Sequence, residues 1–469
     1  MSLTGESVAI VGAGPTGALL ALLLERRGLR VTIYESRADP RGGLLDAGRS
    51  INLALADRGV NALARAGLLD EIRPLVVPMR GRFVHSPDGS GSLLPYGRLP
   101  GEIIYSISRR ELNTSLIEAA SRRPRIDIRF EHRLTDVDFE AHVARFHDSR
   151  RGLDVELPMR PLIAADGAGS ITRRCMAARG YIQAAEADLQ HGYKELSIPS
   201  SPETRRLERE ALHIWPRGGY MLIALPNHDG SFTATLFLPM RGPESFEGLE
   251  TPRAIDEFLS RSFPDARTLM PDCVAEFQRN PTGFLGTVQA DRWHVNGDAL
   301  LIGDSAHAIV PFHGQGMNCC FEDCIELDAV LADALAPGAR HDAGSWDAAF
   351  ATFHARRKPD ADAIAEISIE NYLEMRERVA DPTFLLQQSL ARELEARYPR
   401  RFVPRYSMVT FHHEIPYRVA LQRGRIQSDL LAELTADART LADVDYARAE
   451  RAVESRLPEL AALSSVRKL

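Results

Sequence analysis

Residues 8–17 read "VAIVGAGPTG", with Gly12, Gly14 and Gly17 placed directly behind a short apolar run. Glycines at that spacing permit a tight strand-to-helix turn and bring the backbone close to a pyrophosphate seated on the helix N-terminus. Glu35 ends the next β-branched run, "RVTIYE", where a carboxylate can accept from a ribose hydroxyl. FAD and NAD(P) both use this arrangement, so the motif alone does not choose between them. Two more carboxylates sit at the ends of apolar runs, Asp166 in "LIAADG" and Asp304 in "ALLIGD". Each can take a polyol hydroxyl or cap the helix that follows, and residue type leaves both roles open.

The elements that must hold these residues follow from periodicity. Residues 7–35 predict one strand, glycine turn, helix and strand, with Gly28 as the helix stop. Residues 48–72 read as helical, residues 79–96 as a hairpin with a glycine-rich tip, and a helix is expected from near Ser108. "RIDIRFEHRL" reads as a single alternating strand. Between Tyr181 and Val288 the alternation predicts antiparallel sheet, with turns at Pro216–Gly219 and Asn227–Gly230; from Ser345 onward the pattern is helical, including a long stretch from Asp360 to Val379.

The expected fold is α/β: a Rossmann-like FAD-binding domain, an inserted antiparallel β-sheet substrate domain and a helical C-terminal region. The expected divisions are 1–180 and 291–345 for the first, 181–290 for the second and 346–469 for the third. A chain of 469 residues exceeds one ordinary core, which agrees with several packed units.

Composition excludes several occupations. With 57 basic and 64 acidic residues, formal charge −7, there is no basic footprint for nucleic acid or an anionic membrane. No apolar run approaches the ~18 residues of a membrane span, and the N-terminus lacks a signal-peptide pattern. Five cysteines without framework spacing point to a reducing compartment, hence a cytoplasmic protein. "NCCFEDC" has no CxxC partner elsewhere, so no metal is expected and its cysteines read as helix packing. No Ser/His/Asp triad is evident.

Together, the N-terminal motif, "LIAADGAGSITRR" and "LLIGDSAHAIVPFHGQGMN" resemble the fingerprints of the FAD-dependent aromatic hydroxylases, the single-component flavoprotein monooxygenases. A narrower resemblance, to the kynurenine-hydroxylating branch of that family, rests on "GRSINLALADRG", "YSISRRELN", "HGYKEL", "LHIWPRGGYMLIALPNHDGSFTATLFLP", "NPTGFLGT" and "ENYLEMR". It implies tightly but non-covalently bound FAD, NADPH as a transient reductant, O2 as co-substrate and a flavin C4a-hydroperoxide as the reactive group, with no obligatory catalytic side chain. The FAD contacts it implies are Gly12, Gly14, Gly17, Glu35, Ala54, Arg109, Leu134, Asp304, Met317 and Asn318.

The resemblance also implies L-kynurenine as substrate, hydroxylated at position 3 in tryptophan degradation. Arg82 and Tyr96 match positions that grip its carboxylate, and a guanidinium fork with a phenol suits that group. Asn371 and Glu374, three apart on one helix face, Tyr406, Phe312 and His313 complete the implied substrate contacts; some relatives carry Phe in place of His313. Relatives with a hydrophobic C-terminal membrane anchor are known, and no such tail is read here. A monomer or homodimer is expected. Two alternatives stay open: a hydroxylase of another aromatic acid, and a non-catalytic flavin-binding sensor.

Overall fold

The computed structural model describes residues 7–42, 51–158, 161–334, 343–377, 382–461 and 469. Its organising element is a six-stranded sheet ordered 294–295, 299–301, 162–164, 7–11, 30–34 and 126–129. All neighbours run parallel except the outermost pair, 294–295 with 299–301. Such strands are covered on both faces, which is why they read as unbroken apolar runs. Register sets Ile10 beside Ile163, and Ile163 beside Leu300. Three strand ends far apart in sequence, at Gly12, Asp166 and Gly303, thereby meet along one edge, where open α/β sheets bind ligands.

Close approach dictates the glycines there. Gly12 has φ +101°, and a Cβ on it would lie 2.4 Å from the Ala165 carbonyl oxygen; one on Gly17 would lie 2.1 Å from that of Gly12. Helix Pro15–Arg26 follows at once, with eight buried residues packing it onto the sheet.

A seven-stranded sheet lies beside this unit, ordered 283–290, 184–198, 232–239, 221–226, 211–216, 81–85 and 91–95. It is antiparallel apart from the pairing of 211–216 with 81–85. One face is sealed by helices Pro252–Ser262, Pro264–Leu269 and Cys273–Arg279 through a core that includes Trp215, Leu236, Phe258 and Phe263. The opposite face looks into the candidate site. Helices Ala343–Glu377, Pro382–Arg397, Arg405–Phe411, Tyr417–Thr435 and Tyr446–Arg456 complete the C-terminal region.

Three sequence expectations need correction. Residues 48–72 are not helical throughout: Asn52–Leu55 is a strand paired with Ile104–Ser108, and the helix begins at Asp57. "RIDIRFEHRL" is two strands, Ile126–Arg129 in the parallel sheet and His132–Asp138 in a separate three-stranded sheet, broken at Glu131 with φ 62°. The 181–288 region also contains the three sealing helices, whose short amphipathic repeats were masked by the strong strand alternation around them. Val379, the expected end of the long C-terminal helix, lies outside the described residues.

A buried charge network ties these parts together. Asp323, fully buried on helix Gly316–Ala334, accepts from the Gly303 amide at 3.1 Å, from His307 Nε2 at 2.6 Å and from Arg357 Nε at 2.8 Å. Burial alone would raise its carboxyl, but His307 and Arg357 hold it below the ordinary range. Glu322 joins Arg357 at 2.9 Å and also binds Arg58. Arg58 in turn donates to the Val409 and His412 carbonyls at 3.1 and 3.3 Å and lies 3.8 Å from the Tyr417 ring centroid. Removing one partner of such a set leaves an uncompensated buried charge. Arg357→Ala is therefore expected to lower unfolding stability by about 3–5 kcal/mol, read by urea titration, whereas a loss below about 1 kcal/mol would contradict the pairing.

Candidate active site

Two regions meet at the edge where the three strand ends converge. The first is a cleft of about 410 Å³ lined by Gly14, Glu35, Arg37, Arg109 and Phe130 from the parallel-sheet unit and by Glu195 from the seven-stranded sheet. Glu35 is fixed at its mouth by the Ala13 amide at 2.8 Å and the Arg37 amide at 2.9 Å. Nothing lies within 4 Å of the place a Gly14 Cβ would occupy, and no side chain caps the helix that starts there. An open, uncapped start to a 12-residue helix fits a pyrophosphate. Arg109 stands at the first turn of a second helix, Arg109–Ser121, on the same cleft. Leu134 differs: its side chain is 4% exposed and belongs to the core.

The two strand-end carboxylates have different roles. Asp166 is a cap, accepting from the Ile171 and Thr172 amides at 2.9 and 3.3 Å and from Ser305 Oγ at 3.0 Å. Asp304 is half-buried at the start of helix Asp304–His307, 3.6 Å from Cys320 Sγ. Its carboxylate is the better placed of the two for a ligand hydroxyl.

The segment 314–318, a left-handed glycine followed by the start of helix Gly316–Ala334, joins this region to the second. Gly314 has φ +66°, and its Cβ position would be 3.1 Å from Ala54 Cβ. Asn318 is fully buried; its side chain accepts from the Ala56 amide at 2.9 Å and donates to the Ala54 and Gly314 carbonyls at 2.8 and 2.9 Å. The side chain thus fixes the turn against the 52–55 strand, leaving backbone rather than amide group to face a ligand. Met317 packs, partly buried, on the main core.

In the second region Arg82, Tyr96, Tyr406 and His313 come together from four separate stretches of chain. The Arg82 guanidinium carbon lies 4.7 Å from the Tyr406 ring centroid and 5.3 Å from that of Tyr96. The two phenol rings stack at 5.8 Å, and His313 stacks on Tyr406 at 5.2 Å. Tyr96 Oη and His313 Nδ1 are buried without a hydrogen-bond partner. Burial first, then Tyr406, pushes the Tyr96 phenol well above its ordinary value, against the pull of Arg82. Burial and the nearby Arg82 charge push His313 down to about 3, so its ring is neutral at neutral pH.

Phe312 and Asn371 flank this cluster. Asn371 donates to the Phe312 carbonyl at 2.9 Å, and the Phe312 ring stacks on Tyr372 at 4.2 Å. Glu374 connects to the cluster through Arg405, 4.0 Å away, which also pairs with Glu370. An apolar floor of Leu212, Ile223 and Leu225 borders Tyr96 and Tyr406, and a chamber of about 120 Å³ opens from Arg82 over Val84, Ile214, Met221 and Phe237. Sequence reasoning missed these floor residues and Tyr372. The period-2 alternation of strands 211–216, 221–226 and 232–239 carries the signal for the floor. His307, Cys319 and Asp323 lie close enough to hold an ion, but Arg357 reaches both Asp323 at 2.8 Å and Cys319 at 3.4 Å and supplies the cation there.

The chain is similar to known proteins along nearly its whole length. Residues 6–368 match the family described as FAD binding domain. The chain is 50% identical over 458 residues to kynurenine 3-monooxygenase of Stenotrophomonas maltophilia, covering 97% of this chain and 98% of that protein. It is 44% identical over 453 residues to the enzyme of the same name from Myxococcus xanthus, covering 96% of each. Among solved structures, p-nitrophenol 4-monooxygenase PnpA from Pseudomonas putida superposes with TM-score 0.64 at 17% identity, over 89% of this chain and 98% of that one. Klebsiella pneumoniae HpxO complexed with FAD and uric acid gives 0.63 at 19% identity, over 84% and 95%. These structural likenesses speak to the fold, the aromatic hydroxylase architecture. The chain belongs to the kynurenine 3-monooxygenase family of FAD-binding flavoprotein monooxygenases.

Proposed function

We propose that this protein hydroxylates L-kynurenine to 3-hydroxy-L-kynurenine using FAD, NADPH and O2. The observation that carries the substrate assignment is the Arg82 cluster: a guanidinium beside two stacked phenols, next to buried polar atoms on Tyr96 and His313 that lack partners. Buried polar atoms are rarely left unpaired, so two of them in one cluster with a guanidinium support a polar ligand group there. Kynurenine supplies such a group in its carboxylate, and the names of the relatives support the choice over another aromatic acid.

Bound FAD would supply the redox chemistry, accepting hydride from NADPH and delivering one atom of O2 to the ring while the other leaves as water. Gly14, Glu35 and Arg109 would hold it along the cleft, and Asp304 at the Gly303 strand end. The side chains then have three tasks. Arg82 takes the carboxylate and Tyr96 donates to it, its raised phenol pKa keeping the proton in place. Leu212, Ile223, Leu225 and Phe312 fix the aryl ring and exclude water. His313 stays neutral, so the positive charge toward the carboxylate comes from Arg82. No side-chain base is required, because the ring carbon attacked is ortho to an electron-donating amino group.

Among the described residues no helix is long and apolar enough to cross a membrane. The five cysteines are buried and free, which supports a reducing, cytoplasmic setting.

Incubation of the FAD-loaded protein with NADPH and L-kynurenine is expected to yield 3-hydroxykynurenine; full FAD occupancy with no product would refute the proposal. Arg82→Ala is expected to weaken kynurenine binding by about 2–5 kcal/mol, with unchanged affinity in a titration sinking the carboxylate assignment. His313 must gain a proton when the chain unfolds in acid. Its folded pKa of about 3 lies below the ordinary 6.5, so its contribution is complete above 6.5 and is lost as pH falls toward 3. His313→Phe should therefore flatten the fall of Tm between pH 6.5 and 4; parallel Tm curves for the two proteins would contradict a buried neutral His313.

A further inference from the structure

The sealed face of the seven-stranded sheet carries titratable groups that the proposed reaction does not use. Alternation along Gly81–His85 sends Arg82 and Val84 to the chamber and turns Phe83 and His85 the other way. In the adjacent strand Ala211–Pro216, Ile214 and Pro216 face the chamber, while His213 and Trp215 lie beside His85. His85 stacks on Trp215 with ring centroids 4.0 Å apart at 12°. Its Nε2 is 2.9 Å from His213 Nδ1, and His213 Nε2 is 2.8 Å from the Glu208 carbonyl oxygen. Its Nδ1 lies 3.1 Å from Asp265 Oδ2, which also accepts from Trp215 Nε1 at 2.7 Å. Arg217 completes the charged surroundings, donating to the His85 carbonyl at 3.2 Å.

Counting protons along this line leaves few arrangements. A carbonyl only accepts, so His213 Nε2 carries a proton. If His213 is neutral, its Nδ1 is a lone pair, and His85 must place a proton on Nε2. The Asp265 carboxylate likewise demands a proton on His85 Nδ1. Either neutral tautomer of His85 would set a lone pair against a lone pair. The same contacts could be made with the charge on His213, but that ring is fully buried and lies farther from the carboxylate. Burial pushes His213 down to about 4, the charge on His85 adding to the effect against its bond to Glu208. Asp265 is held at about 2: burial would raise it, and its bonds to His85 and Trp215 outweigh burial.

We infer that Asp265, His85 and His213 form a positioning relay for Arg82, with the two ring nitrogens of His85 donating to the carboxylate on one side and to His213 on the other. The relay acts through the strand. Arg82 pairs with Leu212, Phe83 with His213 and Val84 with Ile214, in the one parallel pairing of this sheet among the described residues. Parallel ladders are slightly the weaker kind, and the bridge on the sealed face adds a fixed link at that seam. It locks the strand that presents the guanidinium while touching neither substrate nor cofactor. The lower limit follows from His213: as pH falls through about 4 it gains a second proton, ceases to accept from His85, and the relay opens.

The role assigned to Arg82 rests on the proposed function; the protonation of His85 does not, and the test separates them. Nitrogen-15 histidine spectra of the FAD-loaded protein at pH 7, with His85 assigned by its loss in His85→Gln, should show both His85 nitrogens protonated and His213 as its Nε2–H tautomer. A neutral His85 overturns the relay whatever the substrate. Asp265→Asn keeps an acceptor for Trp215 and removes the charge; it should neutralise His85 and raise KM for kynurenine roughly tenfold with kcat changed less than about twofold. Asp265→Glu should recover most of that loss. An unchanged KM in folded Asp265→Asn overturns the positioning role. Absence of kynurenine turnover in the parent protein would instead refute the substrate assignment, with the spectra still deciding the relay.

Discussion

The backbone amide of Gly303 donates to a carboxylate, Asp323, that is itself fully buried. Much of the structure depends on that bond. Gly303 has φ +62°, and a Cβ there would approach Cys320 Sγ to 3.0 Å, so the turn is tight and its amide would otherwise be stranded. A buried carboxylate satisfies the amide only if its own charge is matched, which His307 and Arg357 do. Arg357 comes from the long C-terminal helix, and Glu322 extends the network to Arg58 and the carbonyls near His412. The need to neutralise one carboxylate thus brings the Gly303 turn, the 57–66 helix and the C-terminal helices into fixed relation.

The candidate site inherits this relation. Arg82 and Tyr96 come from strands at one edge of the seven-stranded sheet and the loop beside it, His313 from the turn after Gly303, and Tyr406 from helix Arg405–Phe411. Arg58 holds the carbonyl end of that last helix, so the phenol that covers Arg82 is fixed from the same network as the strand-end turn. Asn318 performs a similar task at shorter range, joining Ala54 to Gly314 through a side chain with no exposed surface. The cleft beside Gly14 and the cluster around Arg82 are held together because their walls share supports.

The strand–turn–helix unit was legible in the sequence because Gly12 and Gly17 answer to close backbone contacts that leave few substitutes, while the space at Gly14 is open. The hairpin at 79–96 and the Ser108 start were legible for similar reasons: turn chemistry and a capping hydroxyl are local. Asn52–Leu55 was misread because the strong helix behind it extended the apparent period, whereas its strand state depends on pairing with residues about fifty positions away. Asp166 and Asp304 look alike in sequence, and only the bonds from Ser305 and the Ile171 amide mark Asp166 as the cap. The buried charges were illegible as a set: Arg58, Glu322, Asp323 and Arg357 each read as ordinary polar positions on helices until the fold brought them together. The same holds for His85 and Asp265, whose meeting needs a sheet and a helix some 180 residues apart.

The central claim is that Arg82, framed by Tyr96 and Tyr406, recognises a carboxylate next to the aryl ring that is hydroxylated. It is tested most directly by titrating the FAD-loaded protein with kynurenine and with its decarboxylated amine, following flavin absorbance. The two ligands share ring and chain and differ in the carboxylate alone. Kynurenine is expected to bind at least about 30-fold more tightly. Equal affinities would contradict the account.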